Sequence, residues 1–399
     1  MLSLHHSIMT MAVLHLMLST TLFFALVVFV VSLTAPTDVA AIRAFKAEID
    51  PTTIPSWSCL FTWNFTSGDD PCLIPRRRYF ICGLSCNVDA TRVTAITLDS
   101  VGYSGTISPS ISELAYLIVL DLSDNNFNGA IPPEIFSGLF HLESLTLRQN
   151  SLSGHLPASV ANLRLLEDLD VSGNLLSGSL PKSLFQLSNL NRLDLSFNRF
   201  SGSLPRLPLN LLELAARGNL LSGSLSQSSF EGMTQLEVIE LSANAITGVL
   251  NPWFFSIPSL QQVNLSNNSL SVVEIWKPVN EFSPLVAVDL GFNQIIGKIP
   301  ANFSEYPMLW SLSMRYNKLR GQIPRRFGTK GTLKRLYLDG NYLSGKPPPG
   351  LVYGKAAVDA GSLGYNCLEG CPASSKLCLE SQKPLWLCKE MYGGKKPSL

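Results

Sequence analysis

The central part of the chain alternates hydrophobic and polar residues in short segments that each end in asparagine. Examples are LESLTLRQN at 142–150, LEDLDVSGN at 166–174 and LNRLDLSFN at 190–198. A period of two places the leucines on one face of a short strand and the polar residues on the other. Because the segments recur at a fixed interval, they predict a repeat protein in which each repeat adds one strand to a long parallel sheet.

The asparagine that follows each strand is the most regular feature of the repeats. It occurs in ten of eleven repeats, at steps of 24 or 25 residues apart from one of 21, and Val101 replaces it in the first repeat. A buried amide here can bond backbone groups of adjacent coils that would otherwise lack partners. We predict an asparagine ladder formed by Asn125, Asn150, Asn174, Asn198, Asn219, Asn244, Asn268, Asn293, Asn317 and Asn341.

A second motif follows the asparagine, as in LSGHLP at 152–157 and LSGSLP at 176–181. Glycine permits the bend, and proline, which has no N–H, closes the segment before a short convex turn. The pattern resembles the plant extracellular class of leucine-rich repeats found in receptor kinases, receptor-like proteins and polygalacturonase-inhibiting proteins. Two repeats depart from it: the one between Asn198 and Asn219 is shortened, and the one after Asn268 lacks the Gly-x-Ile-Pro signature.

The segments on either side of the repeats resemble the caps of that plant class. AIRAFK at 41–46, followed by Trp57, Trp63 and DPC at 70–72, is similar to the N-terminal cap and its helix. The resemblance implies an α/β solenoid: a right-handed leucine-rich-repeat superhelix with a parallel concave β-sheet, an irregular or 3-10 convex side and disulfide caps. We expect a signal peptide at 1–35, an N-terminal cysteine cap with a helix at 36–92, eleven repeats at 93–350, and a C-terminal cysteine cap with a polar tail at 351–399.

Eight cysteines form two groups of four, one on each side of the repeats. Neither group has the paired C-x2-C spacing of a zinc site or a nearby histidine, so disulfides are favoured over a metal. Each group allows three connectivities. Among these we predict the pairs Cys59–Cys82, Cys72–Cys86, Cys367–Cys388 and Cys371–Cys378.

The first 37 residues contain no Asp, Glu, Lys or Arg, and their densest apolar stretch runs from 22 to 33. This is typical of a secretory signal, and we expect removal between Ser32 and Thr37 and secretion to the apoplast or cell wall. The apolar length also suits an uncleaved anchor on the outer face of the plasma membrane, so that alternative stays open. Export is consistent with four sequons for N-glycosylation, at Asn64, Asn264, Asn267 and Asn302.

Little in the sequence supports catalysis. Only His141 and His155 lie outside the N-terminal segment, and no nucleophile or phosphate-binding motif is present. Carboxylates such as Asp194 and Asp289 lie between the inward leucines, a habit of plant repeats rather than a catalytic pair. We therefore expect no enzyme activity and no cofactor. With 15% charged residues and a net charge of +1, the chain is not expected to bind nucleic acid.

Charge changes sign along the repeats. Residues 93–293 contain eight Lys and Arg against seventeen Asp and Glu, whereas residues 294–346 contain ten against two. This basic end also carries aromatic residues, and grouped arginine and aromatic side chains are typical of binding hot spots. We predict a ligand-binding surface on the concave strands formed by Phe292, Trp310, Arg315, Tyr316, Lys334, Arg335 and Tyr337.

The resemblance implies an extracellular recognition module related to signalling or defence, which captures a protein, peptide or glycan on its concave face and acts through a partner protein. Two alternatives stay open: an inhibitor of a cell-wall-degrading enzyme, similar to polygalacturonase inhibitors, and a wall-attached scaffold. The expected partners are an extracellular protein or peptide ligand, with a receptor kinase, a wall enzyme or a cell-wall glycan as further candidates. A membrane partner is expected only if the N-terminal segment is retained.

Overall fold

The computed structural model describes residues 34–63, 70–73, 83–278, 282–353 and 358–394. Its helices are α1 (Pro36–Ala47), α2 (Pro349–Val352) and α3 (Leu385–Met391). Its strands, numbered along the chain, are β1 Gly83–Cys86, β2 Val93–Thr97, β3 Ser104–Thr106, β4 Val119–Asp121, β5 Asn126–Ala130, β6 Ser144–Thr146, β7 Ser151–Gly154, β8 Asp168–Asp170, β9 Leu175–Ser179, β10 Arg192–Asp194, β11 Arg199–Gly202, β12 Glu213–Ala215, β13 Leu220–Gly223, β14 Val238–Glu240, β15 Ala245–Leu250, β16 Gln262–Asn264, β17 Ser269–Val273, β18 Ala287–Asp289, β19 Ile296–Gly297, β20 Ser311–Ser313, β21 Lys318–Gly321, β22 Arg335–Tyr337, β23 Tyr342–Gly345, β24 Ala360–Ser362 and β25 Cys367–Leu368.

The concave sheet is made of β1, β2 and the even-numbered strands from β4 to β24. β1 pairs antiparallel with β2, and the following strands are parallel and in register, so that Leu145 pairs with Leu169 and Leu169 with Leu193. These leucines are buried and belong to one core that runs the length of the array. Each coil buries its apolar side chains against its neighbours, which is why the single core can extend over so many residues. The predicted solenoid with its parallel concave sheet is confirmed.

The odd-numbered strands form the second side of the solenoid, in one sheet from β3 to β17 and another from β19 to β25. The break between β17 and β19 falls in the repeat that lacks the Gly-x-Ile-Pro signature. The convex side carries short 3-10 turns, as expected from the prolines that precede them. Within the repeats these turns are Pro109–Glu113, Pro133–Ser137, Ala158–Asn162, Lys182–Gln186, Gln227–Ser229, Pro252–Ser256, Ala301–Glu305 and Arg325–Thr329.

The ladder asparagines join each coil to the one before it. Asn174 is typical: its Oδ1 accepts a hydrogen bond from the backbone N–H of Leu152 at 2.9 Å, and its Nδ2 donates to the carbonyl oxygen of Leu147 at 2.9 Å. Asn366 makes the same contacts with Leu343 N at 3.1 Å and Leu338 O at 3.0 Å. The array therefore continues past residue 350, the boundary expected from the sequence, and β24 with Asn366 forms a twelfth coil inside the segment assigned to the C-terminal cap.

Both caps are tied to the repeats. The carboxylate of Asp38 in α1 is fully buried, where it accepts hydrogen bonds from Arg92 and from the backbone N–H of Val93 at 2.8 Å each. The structure contains three of the predicted disulfides, Cys72–Cys86, Cys367–Cys388 and Cys371–Cys378. Cys59 is also disulfide-bonded, whereas Cys82, its predicted partner, lies outside the described residues.

The N-terminal segment 1–33, which holds most of the predicted signal or anchor, lies outside the described residues. Among the helices in the described part of the chain, none combines the length and the hydrophobicity that a membrane span requires.

Candidate functional site

The structure places the seven residues predicted to bind a ligand on the concave side of three neighbouring coils. Phe292 follows β18, Trp310 and Lys334 directly precede β20 and β22, Arg315 and Tyr316 follow β20, and Arg335 and Tyr337 belong to β22. The guanidinium of Arg315 lies 5.4 Å from the ring centres of Tyr316 and Tyr337 and 5.8 Å from that of Phe292. Arg335 lies 4.6 Å from the ring centre of Trp310. Lys334 has no such ring contact in the described structure.

Phe292 and Tyr316 stack on each other at the edge of the concave face. Their ring centres are 4.8 Å apart and their planes differ by 8°. Each precedes a ladder asparagine and has a left-handed backbone, with φ of 54° and 49°. In the next coil Gly340 occupies the same position with φ of 76°. A Cβ there would lie only 2.6 Å from the ring of Tyr316, so the glycine leaves the space that the aromatic stack needs.

A buried carboxylate orients Arg315. Asp339 Oδ2 accepts hydrogen bonds from Arg315 Nη2 at 2.7 Å and from Nε at 3.2 Å. The side chain of Asp339 is fully buried, whereas that of Arg315 is 33% exposed. The Arg315 guanidinium is thus fixed from below by Asp339 and flanked by aromatic rings. Because it loses little rotational freedom on binding, such a side chain is suited to contact a ligand.

Lys383 connects this arrangement to the C-terminal cap. Its Nζ donates hydrogen bonds to the carbonyl oxygens of Asn341, at 2.8 Å, and Tyr365, and lies 3.9 Å from the ring centre of Tyr365. Burial lowers the pKa of Lys383 to about 8, and the negative charge of Asp339 partly opposes that decrease. The cap therefore inserts a buried amine close to the carboxylate that holds Arg315.

A groove of about 370 Å³ lies beside Arg315 on the concave face and extends from β14 to β22. Ala287, Ser311 and Ser313 contribute small side chains to its lining, and Gln262 and Tyr337 contribute larger ones. The Oγ of Ser313 is enclosed and has no hydrogen-bond partner among the described residues. The groove is open and its surface is mostly polar, so it suits an extended chain better than a small apolar molecule.

The row of concave carboxylates has a structural role. Asp170 Oδ1 and Asp194 Oδ1 accept hydrogen bonds from the backbone N–H groups of Ser172 and Ser196, at 3.0 and 2.9 Å. Each carboxylate thereby supports the turn that follows its own strand. Asp121, Glu240 and Asp289 cap the N–H two residues further along in the same way.

Several site residues were not predicted from the sequence. Asp339 and Lys383 were missed because they belong to no motif. Asp339 contacts Arg315, 24 residues away in the sequence, and Lys383 contacts Asn341, 42 residues away. Asp289 was noted only as one of the carboxylates between the inward leucines, yet it and Glu240 both line the groove. The change from mainly acidic to mainly basic residues near residue 293 could have indicated that Glu240 and Asp289 lie on the acidic side of a binding groove.

The structure separates the predicted glycosylation sites. Asn264 lies in β16 and lines the groove, and its Nδ2 donates a hydrogen bond to Glu240 Oε2 at 2.8 Å. Asn267 is exposed at the edge of the sheet, and Asn302 is half-buried and donates to the carbonyl oxygen of Ile275. Asn64 lies outside the described residues. A glycan would leave the groove open if it were attached to Asn267, but not if it were attached to Asn264.

Comparison with known proteins agrees with this architecture. A family model described as a leucine-rich repeat region matches residues 97–378. The chain belongs to the leucine-rich repeat family. The relatives of this leucine-rich repeat protein include receptor-like proteins and receptor-like kinases of Arabidopsis thaliana. Receptor-like protein 32 is 33% identical over 203 residues, which is 50% of this chain and 17% of that protein.

Solved structures similar to this leucine-rich repeat protein include plant receptor ectodomains. PEPR1–AtPEP1 has a TM-score of 0.74 and 28% sequence identity, with 84% of this chain and 45% of that chain covered. The peptide hormone receptor RGFR1 in complex with RGF2 has a TM-score of 0.63 and 29% identity, with 69% and 43% covered. The matched region therefore spans less than half of these ectodomains and a still smaller share of the curated relatives.

Proposed function

We propose that this protein is an extracellular recognition module that binds a peptide, or an extended segment of a partner protein, in the groove between β14 and β22. The observation that carries the proposal is the position of Arg315, which is held by Asp339 and ringed by Phe292, Tyr316 and Tyr337 beside an open polar groove. A preorganised arginine among rigid aromatic rings has the composition of a binding hot spot.

The similar ectodomains support this proposal. One of them, RGFR1, is described as a peptide hormone receptor in complex with RGF2. Its identity to this chain is low and its coverage is partial, so the ligand itself does not transfer. The proposal takes from this relative only the general mode of binding, in which a leucine-rich-repeat surface binds an extracellular peptide.

The protein contains a matched pair of aromatic residues that allows a controlled test. Phe197 occupies the same repeat position as Phe292, and Arg217 lies 5.5 Å from its ring centre, much as Arg315 does from that of Phe292. Phe197 lies four coils nearer the N-terminus than Phe292 and two coils outside the groove, which begins at β14. Phe197→Ala therefore makes the same chemical change at an equivalent place outside the proposed site.

The experiment selects short peptides from a random displayed library on the purified full chain and then measures their binding to the variants. We expect Phe292→Ala and Trp310→Ala each to weaken binding by about tenfold or more, since hot-spot aromatics contribute on this scale, while Phe197→Ala has little effect. The proposal is wrong if the library yields no binding peptide, or if the Phe197 and Phe292 variants lose affinity equally.

A further inference from the structure

The two ends of the groove carry opposite charges. Glu240 lines it at the β14 end, Asp289 lines it at the middle strand β18, and Arg335 lines it at the β22 end. Lys334 directly precedes Arg335 on the same strand edge. The ends of the groove therefore favour different groups on a ligand.

These charges are not neutralised within the protein. No salt bridge in the described part of the chain includes Glu240, Asp289, Lys334 or Arg335. Four carboxylates nearer the N-terminus differ, because Arg192 lies within 4 Å of Asp168, Asp170, Asp194 and Glu213. Arg315 is likewise compensated by Asp339. Glu240, Asp289, Lys334 and Arg335 are therefore available to pair with charges of a ligand.

We propose that the occupant of the groove is a peptide segment with separated charges, in which a basic side chain lies over Asp289 and Glu240 and an acidic group lies against Lys334 and Arg335. This inference rests on the proposed function and assigns the chemical class of its ligand. Neighbouring strands lie ~4.8 Å apart and Arg335 is offset by two residues along its strand, so Asp289 and Arg335 are separated by ~12 Å and Glu240 and Arg335 by ~20 Å. An extended peptide advances ~3.4 Å per residue, which puts the two ligand charges about three to six residues apart.

A peptide fits this pattern better than a cell-wall glycan. Glu240 and Asp289 repel an acidic polysaccharide, and a neutral one has no charge to pair with either end. A peptide is the ligand class in which ammonium or guanidinium groups and carboxylates occur on one short chain. A glycan that bound in the groove and competed with the selected peptides would contradict the proposal.

Conservative variants can remove the charges and keep the fold. Asp289→Asn is suitable because Asn264 already performs the same task one coil earlier, where its Oδ1 accepts a hydrogen bond from the N–H of Ser266 at 3.1 Å. At the other end, Lys334→Gln with Arg335→Gln removes two exposed or half-exposed cations. Glu143→Gln is the control for the carboxylates, and Arg148→Gln, which also removes a salt bridge to Asp124, is the control for the cations; both residues lie on the concave side of coil three, far from the groove.

The test combines the selected peptides with these variants in double-mutant cycles. We expect the peptides to share one basic and one acidic residue at the stated separation. Replacing the acidic residue with its amide should weaken binding about tenfold on the wild type and much less on the Lys334→Gln/Arg335→Gln protein. Replacing the basic residue should show the same dependence on Asp289, and the control variants should behave like the wild type.

The outcomes separate this inference from the proposed function. Peptides that need Phe292 but share no charge pattern, or whose charges act independently of Asp289 and Arg335, overturn the inference alone. A library that yields no binder, or binders indifferent to Phe292, overturns the proposed function as well.

Discussion

Arg315 Nη2 lies 2.7 Å from Asp339 Oδ2, and the two side chains differ sharply in their access to water. The carboxylate is fully buried, whereas a third of the arginine side chain is exposed. Removing Arg315 and removing Asp339 should therefore cost different amounts of stability, since only the arginine can recover hydrogen bonds from solvent. Asp339 Oδ1 also has no hydrogen-bond partner among the described residues, which makes this carboxylate especially dependent on Arg315.

The first prediction follows from that asymmetry. We expect Arg315→Ala to lower the free energy of unfolding by ~3 kcal/mol, because it leaves a buried carboxylate uncompensated. Asp339→Asn should cost less, ~1 kcal/mol, because the amide keeps the shape and Arg315 reaches water. Urea unfolding of both variants measures the difference. Equal losses of unfolding free energy in the two variants would contradict this prediction, because they would show that the carboxylate of Asp339 does not depend on Arg315. For this reason Arg315→Ala is not a suitable test of binding, because its loss of stability would itself reduce binding.

The second prediction concerns the twelfth coil. Asn366→Ala should destabilise the protein by ~2–3 kcal/mol, since the amide bonds backbone groups of Leu338, Leu343, Leu363 and Gly364 that would be left buried and unpaired. Asn128→Ala is the control, because that residue is exposed and its amide makes only long contacts of 3.5 Å. Thermal unfolding of the two variants decides the point, and an Asn366 variant as stable as the control would exclude the coil from the ladder.

The third prediction concerns the aromatic stack. Gly340→Ala introduces a side chain at positive φ and pushes against the ring of Tyr316, so it should cost ~2–3 kcal/mol and weaken peptide binding. Gly370 also has a positive φ, 66°, but a Cβ there meets nothing within 4 Å. Gly370→Ala should therefore cost only ~1 kcal/mol and leave binding unchanged. If both variants behaved alike in urea unfolding and in peptide binding, the contact between Gly340 and Tyr316 would have no role in the site.

The fourth prediction concerns pH. Burial lowers the pKa of Lys383 to about 8 in the folded state, below its ordinary value of 10.5. Between these pH values the unfolded chain binds a proton that the folded protein has released, so stability rises with pH. Relative to a Lys383→Met variant, the wild type should gain ~1 kcal/mol per pH unit between pH 8 and 10. Urea unfolding at several pH values measures this, and a constant difference would show that Lys383 keeps an ordinary pKa.

The fold was predictable from the sequence because the repeats share one pattern of hydrophobic positions followed by an asparagine. The leucines of 142–147 and 166–171 have the same period, and each asparagine follows at a fixed distance, so one repeat predicts the next. The twelfth coil was missed because Gly361 replaces the inward leucine of its strand. A Cβ on Gly361 would lie 2.1 Å from the carbonyl oxygen of Leu336, and Leu377 of the cap packs over it. Because the cap packs on the last coil, the strand of that coil lacks the inward leucine that identifies the other coils in the sequence.

The candidate site was predictable only in part. Trp310, Arg315 and Tyr316 could be assigned to the concave side because their distance from a ladder asparagine is fixed. The burial of Asp339 could not be predicted, because the same repeat position holds an exposed arginine in some coils, such as Arg148, and a small buried residue in others, such as Ser172. Lys383 reaches the site through the folding of the cap, which has no period to indicate where its side chains lie.

The most direct test of ligand binding on the basic concave end is hydrogen–deuterium exchange of the full chain with and without a selected peptide. The account predicts slower exchange in the segment from 238 to 340, which contains β14 to β22, and unchanged exchange in β4 to β10. Protection confined to β4–β10, or to the convex turns, would contradict it.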